Sequence, residues 1–456
     1  MKTLLALNLA ALSGGVLWAN TFGGAAADSA VRILFFALCL AGLSARSIRE
    51  TLLFIAASLL TVLALRGNDG WVKLFAALDL AAYFAAFIVL LTALKISAER
   101  SRSVLAVGRY LIGQPTGRRF FATASGGHIL GVFLNFGAVS LMAPLIQSAT
   151  KHPDGRTDTD LERRQLSALL RGFAWILLWA PTTLSQAVLL TLFTDIDMTK
   201  IVTLGIATSA LMIFIGYLYD RYEWRSLPPL REAAAPVCPW PALFKLGAIC
   251  AALIGAVAAL QVTTGFTTAL ALMFAAPVVT VVWFLFQKPA DITLRAQSAR
   301  FWPVFETSAA GLARSAMALG LSGFIGRILA DVLPMASLTA QLDLSVIPGW
   351  VFLASLPVLI TLGGQIALSP IILVVFIGQV IQGFPILPAD PTHIVFALSA
   401  GWAISMFASP NATATLLISA TSNIAPTTLT WRWNLRYGAI CYVVLVGIFA
   451  MLEASL

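Results

Sequence analysis

The chain has 456 residues, 59% of them hydrophobic and 11% charged, against about 25% charged in an ordinary soluble domain. With a mean hydropathy of +0.90, that composition rules out a soluble globular enzyme and leaves no stretch long enough for a separate soluble domain. The net charge of +9 is read as Lys and Arg gathered in the cytoplasmic loops of a multi-pass protein, with no nucleic-acid partner.

Apolar runs long enough to cross about 30 Å of hydrocarbon at roughly 1.5 Å per residue are the first signal. They fall at 3–22, 30–45, 48–65, 72–95, 168–193 and 201–219. After a polar, proline-rich stretch at 220–240 they resume at 241–263, 265–287, 304–333, 393–420 and 437–455, giving eleven spans. The opening run is read as a span and not as a cleaved signal, since no clear small-residue cleavage site precedes a soluble chain. Cys39, Cys238, Cys250 and Cys441 stand singly, without disulfide or zinc spacing.

Two further apolar segments, 117–146 and 348–380, are interrupted by glycine or proline, so each could cross or turn back to its own side. Charge decides between these. With two hairpins and a cytoplasmic N-terminus, the basic clusters at 95–119, 151–164, 220–231 and 288–300 all fall inside, and Arg66, Lys73 and Lys200 remain outside. The first hairpin then opens to the cytoplasm and the second, flanked by Asp343 and Asp390, to the outside. The expected fold is an all-α polytopic membrane protein with an inverted-topology repeat. It comprises a first helix at 1–29, one repeat at 30–219, a cytoplasmic linker at 220–240 and a second repeat at 241–456.

Short motifs support the repeat. Gly126-Gly127-His128-Ile129 and Gly172-Phe173-Ala174, with Pro181 nine residues after Gly172, are matched by Gly363-Gly364-Gln365-Ile366 and Gly401-Trp402-Ala403, with Pro410 nine residues after Gly401. Each proline sits in a polar patch inside a span: Ala180-Pro181-Thr182-Thr183-Leu184-Ser185-Gln186 and Ser409-Pro410-Asn411-Ala412-Thr413-Ala414-Thr415. Such a proline removes a backbone hydrogen bond and opens the helix. Broken helices are tolerated in hydrocarbon only where the freed groups meet protein, water or a bound ion, so two of them predict a site at the midplane. Half-helix N-termini suit an anion there, and freed carbonyls and hydroxyls suit Na⁺.

Eleven spans with an inward-opening hairpin after the fourth and an outward-opening one after the ninth resemble the ion transporter superfamily, most closely its divalent anion/sodium symporter family. The Ser-Asn-Thr triplets that this family carries at its hairpin tips are not matched, and Ser125-Gly126-Gly127-His128 and Gly363-Gly364-Gln365 stand at the comparable places. The resemblance implies a homodimeric secondary active transporter of the bacterial inner membrane. Its transport body would hold both hairpins and both broken helices and move across a scaffold, coupled to Na⁺ or protons. The roles it carries over fall on 125–128, 180–186, 363–369 and 409–415. Contacts to a small anionic solute, such as a di- or tricarboxylate, are expected from Ser125, Gly126, Gly127, His128, Asn135, Thr182, Thr183, Gln365, Ser369, Asn411 and Thr413. The coupling ion is assigned to Ala180, Pro181, Ser185, Gly363, Gly364, Ser409, Pro410 and Thr415, with Asp79 as a further candidate. No other cofactor is expected, and Na⁺ is the one metal considered.

Individual residues leave alternatives. His128 stands within a membrane segment, beside two glycines that admit a ligand, and serves either in binding and proton transfer or in a structural hydrogen bond. Asp79 inside its apolar run is either a coupling carboxylate or half of a scaffold pair. Arg314 could meet an anion, but the polar segment 296–315 reads better as running along the cytoplasmic surface before crossing. Arg327 and Asp331, four apart, are expected to pair. Asn135 before Phe136-Gly137 competes with Gly126-Gly127 for the first hairpin tip. No nucleotide-binding or zinc-protease motif is present, so energy has to come from a gradient. The alternatives are a membrane subunit of a tripartite carboxylate transporter and an integral-membrane enzyme acting on a lipid-linked substrate. The short, almost uncharged outer loops disfavour the enzyme.

Overall fold

The computed structural model describes residues 2–43, 48–99, 101–151, 156–193, 196–225, 236–287, 293–333, 346–384 and 386–454. The regular structure of those residues is helical throughout, with one isolated β-bridge joining Lys151 and Thr157. The first four helices are α1 (Lys2–Phe22), α2 (Ala25–Leu43), α3 (Ile48–Leu65) and α4 (Gly70–Glu99). A short amphipathic helix, α5 (Arg102–Ile112), leads to a hairpin of α6 (Thr116–Leu134) and α7 (Phe136–Thr150). Next come a split helix, α8 (Thr159–Ala174) with a 3₁₀ turn Trp175–Leu178 and α9 (Leu184–Leu192), and the span α10 (Met198–Glu223).

The second half runs through α11 (Trp240–Thr264), α12 (Thr268–Phe286), the short α13 (Leu294–Ala299) and α14 (Phe301–Val332). A second hairpin follows, α15 (Gly349–Gln365) and α16 (Pro370–Gln382). The second split helix is α17 (Pro391–Ala408) and α18 (Thr413–Ser422), and after a π turn at Thr428–Arg432 the chain ends on α19 (Leu435–Ala454). Nine helical segments among the described residues are long and apolar enough to cross a bilayer, with α17 and α18 counted together. The shorter α3 and the split pair α8 and α9 complete the eleven expected spans.

The two halves pack as inverted copies. α6 lies on α8 as α15 lies on α17; α3 packs on α14 as α12 packs on α4; α7 meets α18 as α16 meets α9. The most extensive helix–helix contact among the described residues is between the third spans of the two copies, α4 and α14. Two glycines one helical turn apart on α14 permit it, a Cβ at Gly320 lying 2.8 Å from the Ala81 carbonyl and one at Gly323 2.5 Å from the Phe84 ring, while a third, Gly326, admits α16, where a Cβ would lie 3.0 Å from the Ile372 carbonyl. Small residues on α4, Ala81, Ala82, Ala85 and Ala86, complete the close approach and are fully buried.

One expectation fails here. Residues 296–315 do not form a separate surface segment: only Leu294–Ala299 stands apart, and α14 runs without interruption from Phe301. A single proline, Pro303, sits in the first turn, where its missing N–H has no intrahelical partner to lose, so nothing stops the helix before Arg314.

Candidate functional site

The first hairpin turns at Asn135, which adopts φ 49° and ψ −130° between α6 and α7. Asparagine is among the few side chains that tolerate positive φ. Ser125, Gly126, Gly127 and His128 therefore lie within the first arm and not at its tip. The glycines serve close packing: a Cβ on Gly127 would lie 3.0 Å from the Leu169 carbonyl, and one on Gly172 of α8 would lie 2.0 Å from the Ala124 carbonyl. Across that contact, His128 Nδ1 meets the Gly172 carbonyl at 3.0 Å, and Trp179 Nε1 donates to His128 Nε2 at 3.1 Å. Both ring nitrogens are thus engaged within the protein, with Nδ1 as the donor.

The second hairpin does turn at its glycine pair. Gly363, Gly364 and Gln365 end α15, Ala367 has φ 64°, and Ser369 starts α16 without a side-chain capping bond.

Pro181 and Pro410 each deprive the carbonyl four residues earlier of its helical donor. Those carbonyls belong to Leu177 and Met406. Leu177 O accepts from Ser185 Oγ at 3.0 Å and from Gln186 Nε2 at 2.9 Å. Met406 O accepts from Thr415 Oγ1 at 2.9 Å. The two Nε2 hydrogens of Gln186, fully buried, are shared among Leu177 O, Leu178 O and Ser399 Oγ, while its Oε1 has no partner among the described residues. Part of each polar patch therefore closes the backbone that its own proline opens. Thr183 likewise donates to Ala180 O at 2.7 Å.

The residue after each proline reaches to a hairpin. Thr182 Oγ1 donates to Val132 O near the first tip. Asn411 Nδ2 donates to Gly364 O at 3.1 Å and to Gln365 O at 3.2 Å, and Ser409 Oγ to Gly364 O at 2.7 Å. Gln365 is held further by Nε2 donation to Ala408 O and by Trp431 Nε1 donating to its Oε1. Each break is thereby fastened to the tip of its own repeat's hairpin.

At the first tip a cavity of about 220 Å³ remains. Its walls are Leu134, Asn135, Phe136, Gly137 and Ser140 of the hairpin, Thr182 of the first break, Thr413 and Leu417 of α18, Ile88, Leu91, Thr92 and Leu94 of α4, and Ser315 of α14. No carboxylate lines it. Helices α7 and α18 both begin at this cavity, and neither has a side-chain cap. Among the described residues, no side chain or loop carbonyl takes the N–H groups of Phe136, Gly137, Thr413 or Ala414. Five helix starts elsewhere are capped, Asp158, Asp197, Thr267, Thr293 and Asp390 each accepting from the first turn that follows, while α5, α6, α9, α11, α14, α15 and α16 also begin without a side-chain cap. The hydroxyls of Thr92, Ser315 and Thr413 and the Asn135 amide likewise make no hydrogen bond within the described residues, and Asn135 Oδ1 is buried without one. Two helix N-termini and a ring of neutral donors around a space without carboxylates suit an anion. No cluster of His, Cys, Asp or Glu that could hold a metal ion occurs among the described residues.

Asp79 lies away from this cavity. It forms a two-pronged pair with Arg32 of α2, at 2.7 and 2.8 Å, and the same guanidinium lies 4.5 Å from the centre of the Phe75 ring. Arg327 pairs with Asp331 at 3.0 Å as expected, and also donates to Gln379 Oε1 of α16 at 2.8 Å. Of the residues expected at the site, Asn135, Thr182 and Thr413 meet at the cavity. Gly363, Gly364, Gln365, Ser409 and Asn411 meet at the second tip. Sequence reasoning did not find Thr92, Ser140 or Ser315, which carry no motif, or Arg32, whose signal was a lone cation in an apolar run.

No protein-family model matches this chain, and no curated protein matches it by sequence. Solved structures do. The Alcanivorax borkumensis YdaH transporter superposes with a TM-score of 0.60 at 18% identity, over 89% of this chain and 98% of its own. Neisseria gonorrhoeae MtrF, described as one of a class of antimetabolite efflux pumps, superposes with a TM-score of 0.56 at 14% identity, over 88% and 94%. The chain thus shares the fold of these membrane transporters over nearly its whole length. The expected likeness to divalent anion/sodium symporters gains no support from these matches.

Proposed function

We propose that the protein is a secondary active transporter for a small anion. The observation that carries this is the meeting of two uncapped helix N-termini, α7 and α18, at one cavity without carboxylates. Partial positive charge at each start, added to the donors of Thr92, Asn135, Ser315 and Thr413, favours a carboxylate or similar group over a cation. The transporter fold shared with YdaH and MtrF supports movement of the solute over hydrolysis of it.

Coupling is to Na⁺ or protons. The Gln186 Oε1 atom, buried beside the first break without a donor, is the acceptor we assign to a coupling Na⁺, which would be cargo and not a resident cofactor. Hairpins and split helices move together in an elevator-like step, because each break is hydrogen-bonded to its own hairpin tip. The scaffold is the α4 and α14 contact, and two chains form a homodimer in a bacterial-type inner membrane with the N-terminus in the cytoplasm.

The test is solute movement in proteoliposomes under imposed Na⁺ and proton gradients, with a panel of mono-, di- and tricarboxylates. The antimetabolite efflux described for MtrF adds an export arm with antimetabolites. Gradient-driven accumulation or extrusion of an anion is expected, and it falls when Thr413 is replaced by Val. Correctly inserted protein that moves no anion in either direction refutes the proposal.

A further inference from the structure

α14 carries one open face at the level of the cavity. Thr307, Ala310, Gly311, Arg314 and Ser315 are exposed, three to four residues apart, while Leu312, Ala313, Ala316 and Met317 on the other face are buried. A Cβ on Gly311 would meet nothing within 4 Å, so the face is unobstructed there. Ser315 at its end lines the cavity. Arg314 is the neighbouring residue, and its guanidinium finds no hydrogen-bond or ion-pair partner among the described residues.

Depth gives this arginine its meaning. Glu306, eight residues earlier on α14, accepts a hydrogen bond from Thr3 at the start of α1, and we take this polar pair as the end of the hydrocarbon on that side. At roughly 1.5 Å per residue, Arg314 is about 12 Å further in, close to the midplane of a hydrocarbon layer about 30 Å thick. An unpaired charge at that depth is costly against lipid and acceptable against water or an anion. Two other arginines within apolar helices, Arg32 and Arg327, are paired, with Asp79 and Asp331.

We propose that Arg314 stands in a water-filled passage leading to the cavity and is the residue that selects anions for it. This rests on the transport reading above and names the group that draws the solute in: a carboxylate passes the guanidinium before it reaches the N-termini of α7 and α18. A fixed positive charge in a low-dielectric funnel raises the local concentration of anions and excludes cations.

The first test needs no substrate. R314C is treated, in membranes, with the water-soluble anionic reagent sulfonatoethyl methanethiosulfonate, beside V443C on the exposed face of α19 and the parent chain as blank. Labelling at 314 at least tenfold faster than at 443 is expected, and labelling as slow as at 443 overturns the water-filled passage. The second test measures succinate and citrate uptake. R314Q is expected to raise KM tenfold or more, with Vmax within about twofold, and to abolish the fall of initial rate with ionic strength; R314K keeps most of both. Unchanged KM and salt dependence in R314Q overturns the selective role. If the unaltered protein moves no anion, the transport reading and the selective role fall together, while the labelling result still decides whether Arg314 faces water.

Discussion

Replacing Gly172 with alanine is the sharpest test of how the first hairpin is held. A Cβ at this position would sit 2.0 Å from Ala124 O, 2.5 Å from Ala124 C and 2.6 Å from Ala124 Cα. Ordinary contact begins near 3.4 Å, so α6 has to retreat from α8 by about 1.4 Å. All three atoms are helix backbone, and no change of rotamer relieves the overlap. Overpacking of this kind costs about 1–3 kcal/mol, while alanine in a helix returns about 1 kcal/mol relative to glycine. With rigid backbone on both sides the upper end applies, and G172A is expected to lose about 2 kcal/mol, a factor of about 30 in the folded-to-unfolded ratio. The retreat also draws His128 away from the Gly172 carbonyl. The assay is thermal unfolding of purified protein in one detergent, with two comparisons. G401A, the equivalent glycine of the second repeat, meets Pro357 Cα at 2.7 Å and should lose less, while G447A, with nothing within 4 Å, should lose nothing. A G172A protein as stable as G447A would refute the close-packing account and return the glycines to a ligand-binding role.

Four further outcomes follow from the same geometry. N411A leaves the Gln365 carbonyl and one lone pair of the Gly364 carbonyl without their donor and is expected to cost about 1–2 kcal/mol, with a larger loss of transport rate, read by unfolding and by uptake. H128F removes the bonds to Gly172 O and from Trp179 Nε1, costing about 1–3 kcal/mol, and leaves the pH profile of transport unshifted; a shifted profile would make His128 a proton relay. In a double-mutant cycle of R32Q and D79N, the coupling should be about 1 kcal/mol or less, since Asp79 is partly exposed, and D79N should keep its ion dependence; loss of that dependence would place Asp79 in coupling. Accessibility labelling should find positions 120 and 147, near the two ends of the first hairpin, on one face of the membrane, and opposite faces would exclude the hairpin.

How much of this was legible from residues differs by element. Every one of the eleven apolar runs corresponds to a helix or a split pair, because an unsatisfied backbone in hydrocarbon is so costly that length and apolarity alone specify a span. The two breaks were equally visible, since a proline inside a span has a fixed consequence for the carbonyl four residues before it. The pairing of Gly172 with Gly401 was visible as a repeat, but its purpose was not: glycine serves a turn, a ligand approach or a helix contact, and only the 2.0 Å approach to Ala124 O distinguishes them.

The tip at Asn135 in place of Gly126-Gly127, the partner of Asp79 and the continuity of α14 through Arg314 each depended on which segments lie side by side. Within the polar patches the resemblance gave Thr182 and Asn411 to the solute and Ser185 and Thr415 to the coupling ion. Tertiary structure separates those that repair the broken backbone, Ser185 and Thr415, from those that fasten a hairpin, Thr182 and Asn411. Composition and period along one chain determine how each segment meets lipid, because that depends on the segment alone. The cavity between α7 and α18 is formed by residues from opposite halves, and which donors remain free there is decided only when the two inverted copies pack together.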